Sequence, residues 1–109
     1  MTAVAQLRDL VVALPEVHES THFRLPAYRV RDAVFVVVQS DDHVVIHVDP
    51  ATAADAAAAH PAVEQTFRGS TPVGIRVHLP GLEPEDLQGF LAAAWRHRAP
   101  KALRTQHQV

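Results

Sequence analysis

The sequence lacks cysteine altogether, and its 109 residues include no asparagine and a single lysine, Lys101. Without cysteine the chain cannot form a disulfide scaffold, a thiolate zinc site or a cysteine nucleophile. The scarcity of lysine and asparagine beside abundant alanine and valine is typical of a GC-rich coding bias. The preference for arginine over lysine therefore says little about function.

An excess of positive charge is also missing. Twelve acidic and 10 basic residues give a formal net charge of -2, whereas a protein that holds nucleic acid mainly by charge is usually basic. A local basic patch stays compatible with this balance. No apolar run is long enough to span a bilayer, and no signal-peptide pattern begins the chain. We expect a soluble cytoplasmic protein with no membrane partner.

Hydrophobic residues make up 48 % of the chain, which is typical of a globular protein. The length is enough for one domain and too short for two. We expect a single domain over residues 1–103 and a disordered tail over residues 104–109.

Apolar residues at helical spacing predict three helices. The first extends from residue 4 to residue 14 and ends at Pro15. The second begins at the Asp49-Pro50 pair, where Asp suits the cap and Pro the first turn. The third and longest lies within residues 83–101, and its apolar stripe is suited to cover one face of a sheet.

Segments rich in β-branched and aromatic residues predict the strands. These segments are 17–30, with a kink at Leu25-Pro26, and 33–39, 43–48, 62–68 and 74–79. Their short connections favour antiparallel pairing. The sequence thus predicts an α+β fold, a two-layer sandwich with helices on one face of an antiparallel sheet. The order is helix, three or four strands, helix, two strands, helix.

One segment, His18-Glu19-Ser20-Thr21-His22, matches the H-E-x-x-H pattern of zinc hydrolases, in which a helix brings both His to one metal. Pro15 and Pro26 bracket it closely, which favours a strand. Residues four apart on a strand lie roughly 13 Å apart and cannot share a metal. The same spacing separates His43 from His47. We find no phosphate loop or nucleophile motif, and we expect no metal and no cofactor.

The strands also predict a cationic sheet face. If helices cover the apolar positions of strands 43–48 and 74–79, the opposite face carries six basic side chains. They are Arg29, Arg31, His43, His47, Arg76 and His78. The end of the last helix adds Arg96, His97, Arg98, Lys101 and Arg104. Such a surface suits a phosphate backbone, an acidic partner or a second copy of the chain. Polar residues also occupy the solvated face of any sheet without a binding role.

Several stretches together resemble the MmcQ/YjbR family of small bacterial proteins. They are LPEV followed by Glu19, LPAYRVRDAVFVVV, His60-Pro61, GIRVHLPG and AAAWRHRAPKAL, in the family's order over about residues 3–103. The resemblance implies a helix-flanked antiparallel sheet similar to secretion chaperones, and DNA binding through a winged arrangement of hairpins. It places HESTH in an extended segment and implies no catalytic residue.

We therefore expect a DNA-binding or regulatory module that contacts duplex DNA. The residues predicted to bind it are Arg29, Arg31, Arg76, Arg96, Arg98 and Lys101. Two alternatives stay open. One is a protein-interaction module or homodimer that uses the partly apolar sheet face, and the other is a metal-dependent hydrolase that uses HESTH.

Overall fold

The computed structural model describes residues 2–109, and within them the chain forms four α-helices and six strands. The helices are α1 (Val4–Val12), α2 (Pro50–Ala59), α3 (Pro84–Arg98) and α4 (Lys101–Gln106). The strands are β1 (Val17–His22), β2 (Leu25–Val30), β3 (Ala33–Val38), β4 (His43–Ile46), β5 (Val63–Arg68) and β6 (Thr71–His78). A 3₁₀ turn, Leu79–Gly81, follows β6.

The strands form one antiparallel sheet in the order β1-β2-β3-β4-β6-β5. Helix α2 connects β4 to β5, and β6 returns to pair with β4, so the last hairpin lies at the sheet edge. Four strands precede α2 and two follow it. This arrangement confirms the predicted α+β fold.

The main core lies between the helices and one face of the sheet. Leu7 of α1, Ala53 of α2 and Leu91 of α3 pack into the same cluster as Ile46 and Ile75 of the sheet. Alternation along β4 and β6 explains why Ile46 and Ile75 share this face, since they are paired across the two strands. All three helices therefore cover the same side.

The opposite face has only a small apolar cluster. Ala27, Val34 and Val37 are buried there, with Leu25 and Val45 partly buried against them. The register pairs Ala27 with Val37, and Val37 with Val45. Basic and histidine side chains flank this cluster and form the site described below.

The turn between β1 and β2 differs from the predicted kink at Leu25-Pro26. Leu25 and Pro26 pair with His22 and Thr21 inside a regular hairpin, and the turn consists of Phe23 and Arg24. Both turn residues have positive φ, 48° and 69°. Asn or Gly usually occupies such turns, so Phe-Arg gives no turn signal in the sequence. Positive φ in residues of this size is strained, and strain of this kind clusters at functional sites.

The end of the chain is helical where the sequence predicted a tail from Arg104. Pro100 separates α3 from α4, and Leu103 on α4 is fully buried in the main core. His107 contacts the Trp95 ring edge-on at 6.3 Å, and Val109 packs against the core. Within the described residues, none of the helices combines the length and apolar character needed to cross a bilayer.

Candidate anion-binding site

The register of β4 and β6 places three of the predicted basic side chains on the face opposite the helices. His43 pairs with His78, and Val45 pairs with Arg76 two positions along, on the same face of the sheet. His43, Arg76 and His78 therefore lie side by side, and the His43 and His78 rings are 4.9 Å apart.

Carboxylates already compensate much of this cluster. Arg76 lies 3.0 Å from Glu64 and also donates to the side chain of Gln39. Asp42 lies 2.8 Å from Nδ1 of His43 and 3.8 Å from Nε2 of His78. Hydrogen bonds from Ser40 and then His43 lower the pKa of Asp42. The field of this cluster toward an anion is correspondingly reduced.

Arg31 is compensated in the same way. It belongs to the β2–β3 turn, with φ of 52°, and its Nε lies 3.1 Å from Glu16. Its backbone N–H also donates to the Glu16 carbonyl. Exposed pairs of this kind add little stability, but they offset the charge that a phosphate would otherwise meet.

Two other predicted residues, Arg29 and Arg98, bond only to neutral acceptors, so their charge is not offset. Arg29 donates to Ser20 Oγ at 3.0 Å and to the Asp32 carbonyl at 2.8 Å. Arg98 donates through Nε to the Val34 carbonyl at 3.2 Å. Arg96 donates to the backbone oxygen of Val109 at 2.8 Å. Lys101 is exposed on α4 and makes no ion pair with any residue from 2 to 109.

A cavity of about 360 Å³ gathers basic groups from four separate parts of the chain. We call it the basic pocket. Its polar lining consists of His22, His47, Arg68, His97 and Arg98. Its apolar lining consists of Val34, Pro50, Pro72 and Val73. In the part of the chain that the structure describes, no carboxylate lines this pocket.

Local structure explains this convergence. The end of β1 supplies His22, the end of β5 supplies Arg68, and the last turn of α3 supplies His97 and Arg98. The residue after β4, His47, is fixed by its backbone N–H, which donates to the Phe35 carbonyl at 2.9 Å.

Burial and the charge of the pocket both act on His47. The pKa of His47 is lowered, first by burial and then by the positive charge of Arg98, with smaller contributions from His22 and Arg68. A hydrogen bond with the Val73 backbone acts in the opposite direction. His47 is therefore largely neutral at pH 7, and an anion among these cations would favour its protonated form.

Two exposed phenylalanines are sequence neighbours of residues that line the basic pocket, although neither lines it. Phe23, 87 % exposed, follows the pocket residue His22, whose ring lies 4.5 Å away. Phe67, 55 % exposed, precedes the pocket residue Arg68 at the tip of the β5–β6 hairpin. Each phenylalanine is followed directly by an arginine, Arg24 or Arg68. Within residues 2–109 they are the only exposed aromatic residues that are strongly apolar.

Part of this site was predicted from the sequence. Of the six residues predicted to bind nucleic acid, only Arg98 lines the pocket. Arg68 was missed, as were Phe23 and Phe67, and His22 was considered only as a metal ligand. A repeated Phe-Arg pair, once at each hairpin tip, is the sequence feature that could have identified them.

The HESTH segment forms β1, so His18 and His22 are four residues apart on a strand and not one helical turn apart. Glu19, between them, pairs with Arg8 of α1. Across residues 2–109 there is no cluster of three or more His, Asp or Glu side chains that could hold a metal ion. The geometry that the hydrolase alternative requires is not found in this segment.

Together the fold and the site define an α+β protein with one helix-covered sheet face and a basic pocket between two hairpin tips. A model of the YjbR family matches residues 12–97, most of the chain, and the protein therefore belongs to the YjbR family. This confirms the resemblance found in the sequence. Searches of curated proteins and of solved structures found no significant match.

Proposed function

We propose that this YjbR-family protein binds DNA at the surface formed by the basic pocket and the two hairpin tips. One observation carries the proposal: the pocket has five basic side chains and no carboxylate in its described lining, and the two hairpin ends that supply His22 and Arg68 each carry an exposed phenylalanine. Phosphate contacts supply most of the affinity of proteins for nucleic acid. Exposed aromatic side chains supply stacking on bases.

The proposed interface is centred on the basic pocket and not on the sheet-face arginines that the sequence predicted. Arg98 and Arg68 face the pocket without a carboxylate partner among residues 2–109, and Arg24 extends the charge at the first tip. Arg31 and Arg76 are offset by Glu16 and Glu64, so they contribute less. Arg29, Arg96 and Lys101 then form the periphery of the predicted interface.

The hairpin tips favour DNA whose bases are accessible. A phenylalanine stacks on an unpaired base, or it inserts between base pairs as a wedge. Either mode accounts for Phe23, whose side chain is 87 % exposed on a strained turn. We therefore expect single-stranded DNA to bind at least as tightly as duplex DNA of the same sequence.

Binding is tested by fluorescence anisotropy with labelled 5′-hydroxyl oligonucleotides, single-stranded and duplex, at low salt. Stacking on one base is worth about 1–3 kcal/mol, so F23A should weaken single-strand binding about 5- to 150-fold. V12A is the matched control, because Val12 is an exposed apolar residue on α1 in the helix layer. Equal binding by F23A and the native protein would contradict the role of the tip.

A second copy of the chain is the alternative occupant of the same tips. Exposed Phe23 and Phe67 are also suited to pack in a symmetric dimer. Sedimentation velocity over a wide protein concentration range distinguishes the two. A monomer at all concentrations supports the DNA proposal, whereas a concentration-dependent dimer that F23S abolishes would assign the tips to self-association.

A further inference from the structure

We propose that the basic pocket is a binding site for a phosphate monoester, a compound whose terminal phosphate is held by Arg98, Arg68 and His47. This goes beyond DNA binding along a backbone, because an internal phosphodiester carries one charge and no free end. A monoester carries between about 1.5 and 2 negative charges at pH 7.

A second cavity in the same molecule provides the contrast. It also has a volume of about 360 Å³, and its polar lining is His43, Glu64, Arg76 and His78. Here Glu64 pairs with Arg76, and Asp42 lies beside both histidines. Two cavities of equal size thus differ in net charge. The difference favours an anion in the basic pocket alone.

Arg98 is arranged for a planar, two-point contact with phosphate. Its Nε is bonded to the Val34 carbonyl, which fixes the guanidinium plane. Within residues 2–109 its two terminal nitrogens have no hydrogen-bond partner. Arginine with both terminal nitrogens available binds phosphate in a bidentate manner, and a fixed guanidinium loses less freedom on binding.

His47 supplies a proton-dependent contact. It faces His22 from β1, Arg68 from β5, and His97 and Arg98 from α3, all of which are basic. The carboxylate of Asp49 lies in a neighbouring cavity beside His97 and is bonded to Thr52. A bound dianion reverses the repulsion that these cations exert, so the pKa of His47 rises on binding. Binding near neutral pH is then accompanied by proton uptake.

The apolar part of the lining indicates an ester rather than free phosphate. Val34, Pro50, Pro72 and Val73 offer nothing to an inorganic ion, but they can pack against the organic part of a small ester. The volume of about 360 Å³ is at the lower end of small-molecule pockets, which span about 300–1,000 Å³. A nucleoside monophosphate is a suitable probe of this class.

Isothermal titration calorimetry at pH 7.5 tests the site with adenosine 5′-monophosphate, adenosine and inorganic phosphate. We expect the monophosphate to bind at least tenfold more tightly than inorganic phosphate, and adenosine not to bind. Titration in two buffers with different ionisation enthalpies should show net proton uptake. Failure of all three compounds to bind, or equal affinity for phosphate and monophosphate, would overturn the proposal.

Variants separate the pocket from the rest of the surface. H47Q should reduce the net proton uptake, to which His22 and His97 of the same lining can also contribute, and R68A should weaken monophosphate binding at least tenfold. H78Q, in the second cavity, is the matched control and should change neither. Thermal unfolding of each variant checks that it is folded. If H78Q weakens binding as much as R68A does, the basic pocket is not the site.

Oligonucleotides distinguish the two possible sources of the phosphate and keep this inference separate from the proposed DNA binding. A 5′-phosphorylated strand that binds tighter than its 5′-hydroxyl form, and loses this advantage in R68A, places a DNA end in the pocket. Equal binding of the two strands, with the monophosphate still bound, assigns the pocket to a small ester. The absence of 5′-hydroxyl strand binding refutes the DNA proposal alone.

Discussion

Gly74 in β6 leaves no room for a side chain beside β4. A Cβ atom built on Gly74 would overlap the carbonyl oxygen of Ile46 and would lie 3.1 Å from Cα of His47. Both neighbours are backbone atoms, which cannot rotate away as a side chain can. The substitution G74A must therefore push β4 and β6 apart at the position where His47 enters the basic pocket.

The expected cost follows from this geometry. Forced overpacking typically destabilises a protein by about 1–3 kcal/mol. For a domain of this size each kcal/mol lowers the Tm by roughly 4–8 °C. We expect G74A to lower the Tm by at least about 4 °C in a calorimetric scan, and to weaken monophosphate binding because His47 is displaced.

Gly89 in α3 is the matched control. A Cβ atom on Gly89 meets nothing within 4 Å. Alanine in a helix is favoured over glycine by about 0.5–1 kcal/mol, so G89A should raise the Tm slightly. Equal effects of G74A and G89A would refute the close approach of β4 and β6 and, with it, the described position of His47.

Three further predictions concern stability. W95F removes the 2.9 Å bond from the indole N–H to the Pro15 carbonyl and should cost about 1–3 kcal/mol in urea unfolding; an unchanged midpoint would contradict that bond. D49A removes the cap of α2 and should cost about 0.5–2 kcal/mol at pH 7. The bond with Thr52 lowers the pKa of Asp49, so this contribution is fully present above the unfolded pKa of about 3.8 and is lost as the pH falls through the lower folded pKa. An equal D49A effect at pH 7 and pH 2 would contradict this. L103A removes a fully buried side chain and should cost about 2–5 kcal/mol in urea unfolding, and an unchanged midpoint would contradict this burial.

The two layers of the fold could be predicted from the sequence because strand alternation and helical spacing show which side chains are buried. The apolar and polar faces of segments 43–48 and 74–79 were predicted from alternation, and β4 and β6 have these faces. The pairing of β4 with β6 was not predicted. The cap of α2 at Asp49-Pro50 was likewise predicted, since Asp and Pro at these positions act locally.

Features that depend on contacts between distant parts of the chain could not be predicted from the sequence. The carboxylates of Glu16 and Glu64 offset Arg31 and Arg76 from 15 and 12 residues away. No local sequence pattern predicts these pairs. The basic pocket gathers residues from β1, β4, β5 and α3, so only the sheet order brings it together. The turn at Phe23 and Arg24 was not predicted because these residue types are rare in a positive-φ turn.

The most direct test of the proposed function is the salt dependence of binding to a 5′-hydroxyl single strand, measured for the native protein and for R68A. Affinity should fall as salt rises, with a logarithmic slope of about 0.7 for each phosphate contact. Arg8 of α1 is paired with Glu19 of β1, so R8A is the charge-matched control. We predict that R68A reduces the slope by about 0.7 and that R8A leaves it unchanged. No binding at low salt, or an equal reduction in R8A and R68A, would contradict the proposal that the basic pocket contacts DNA.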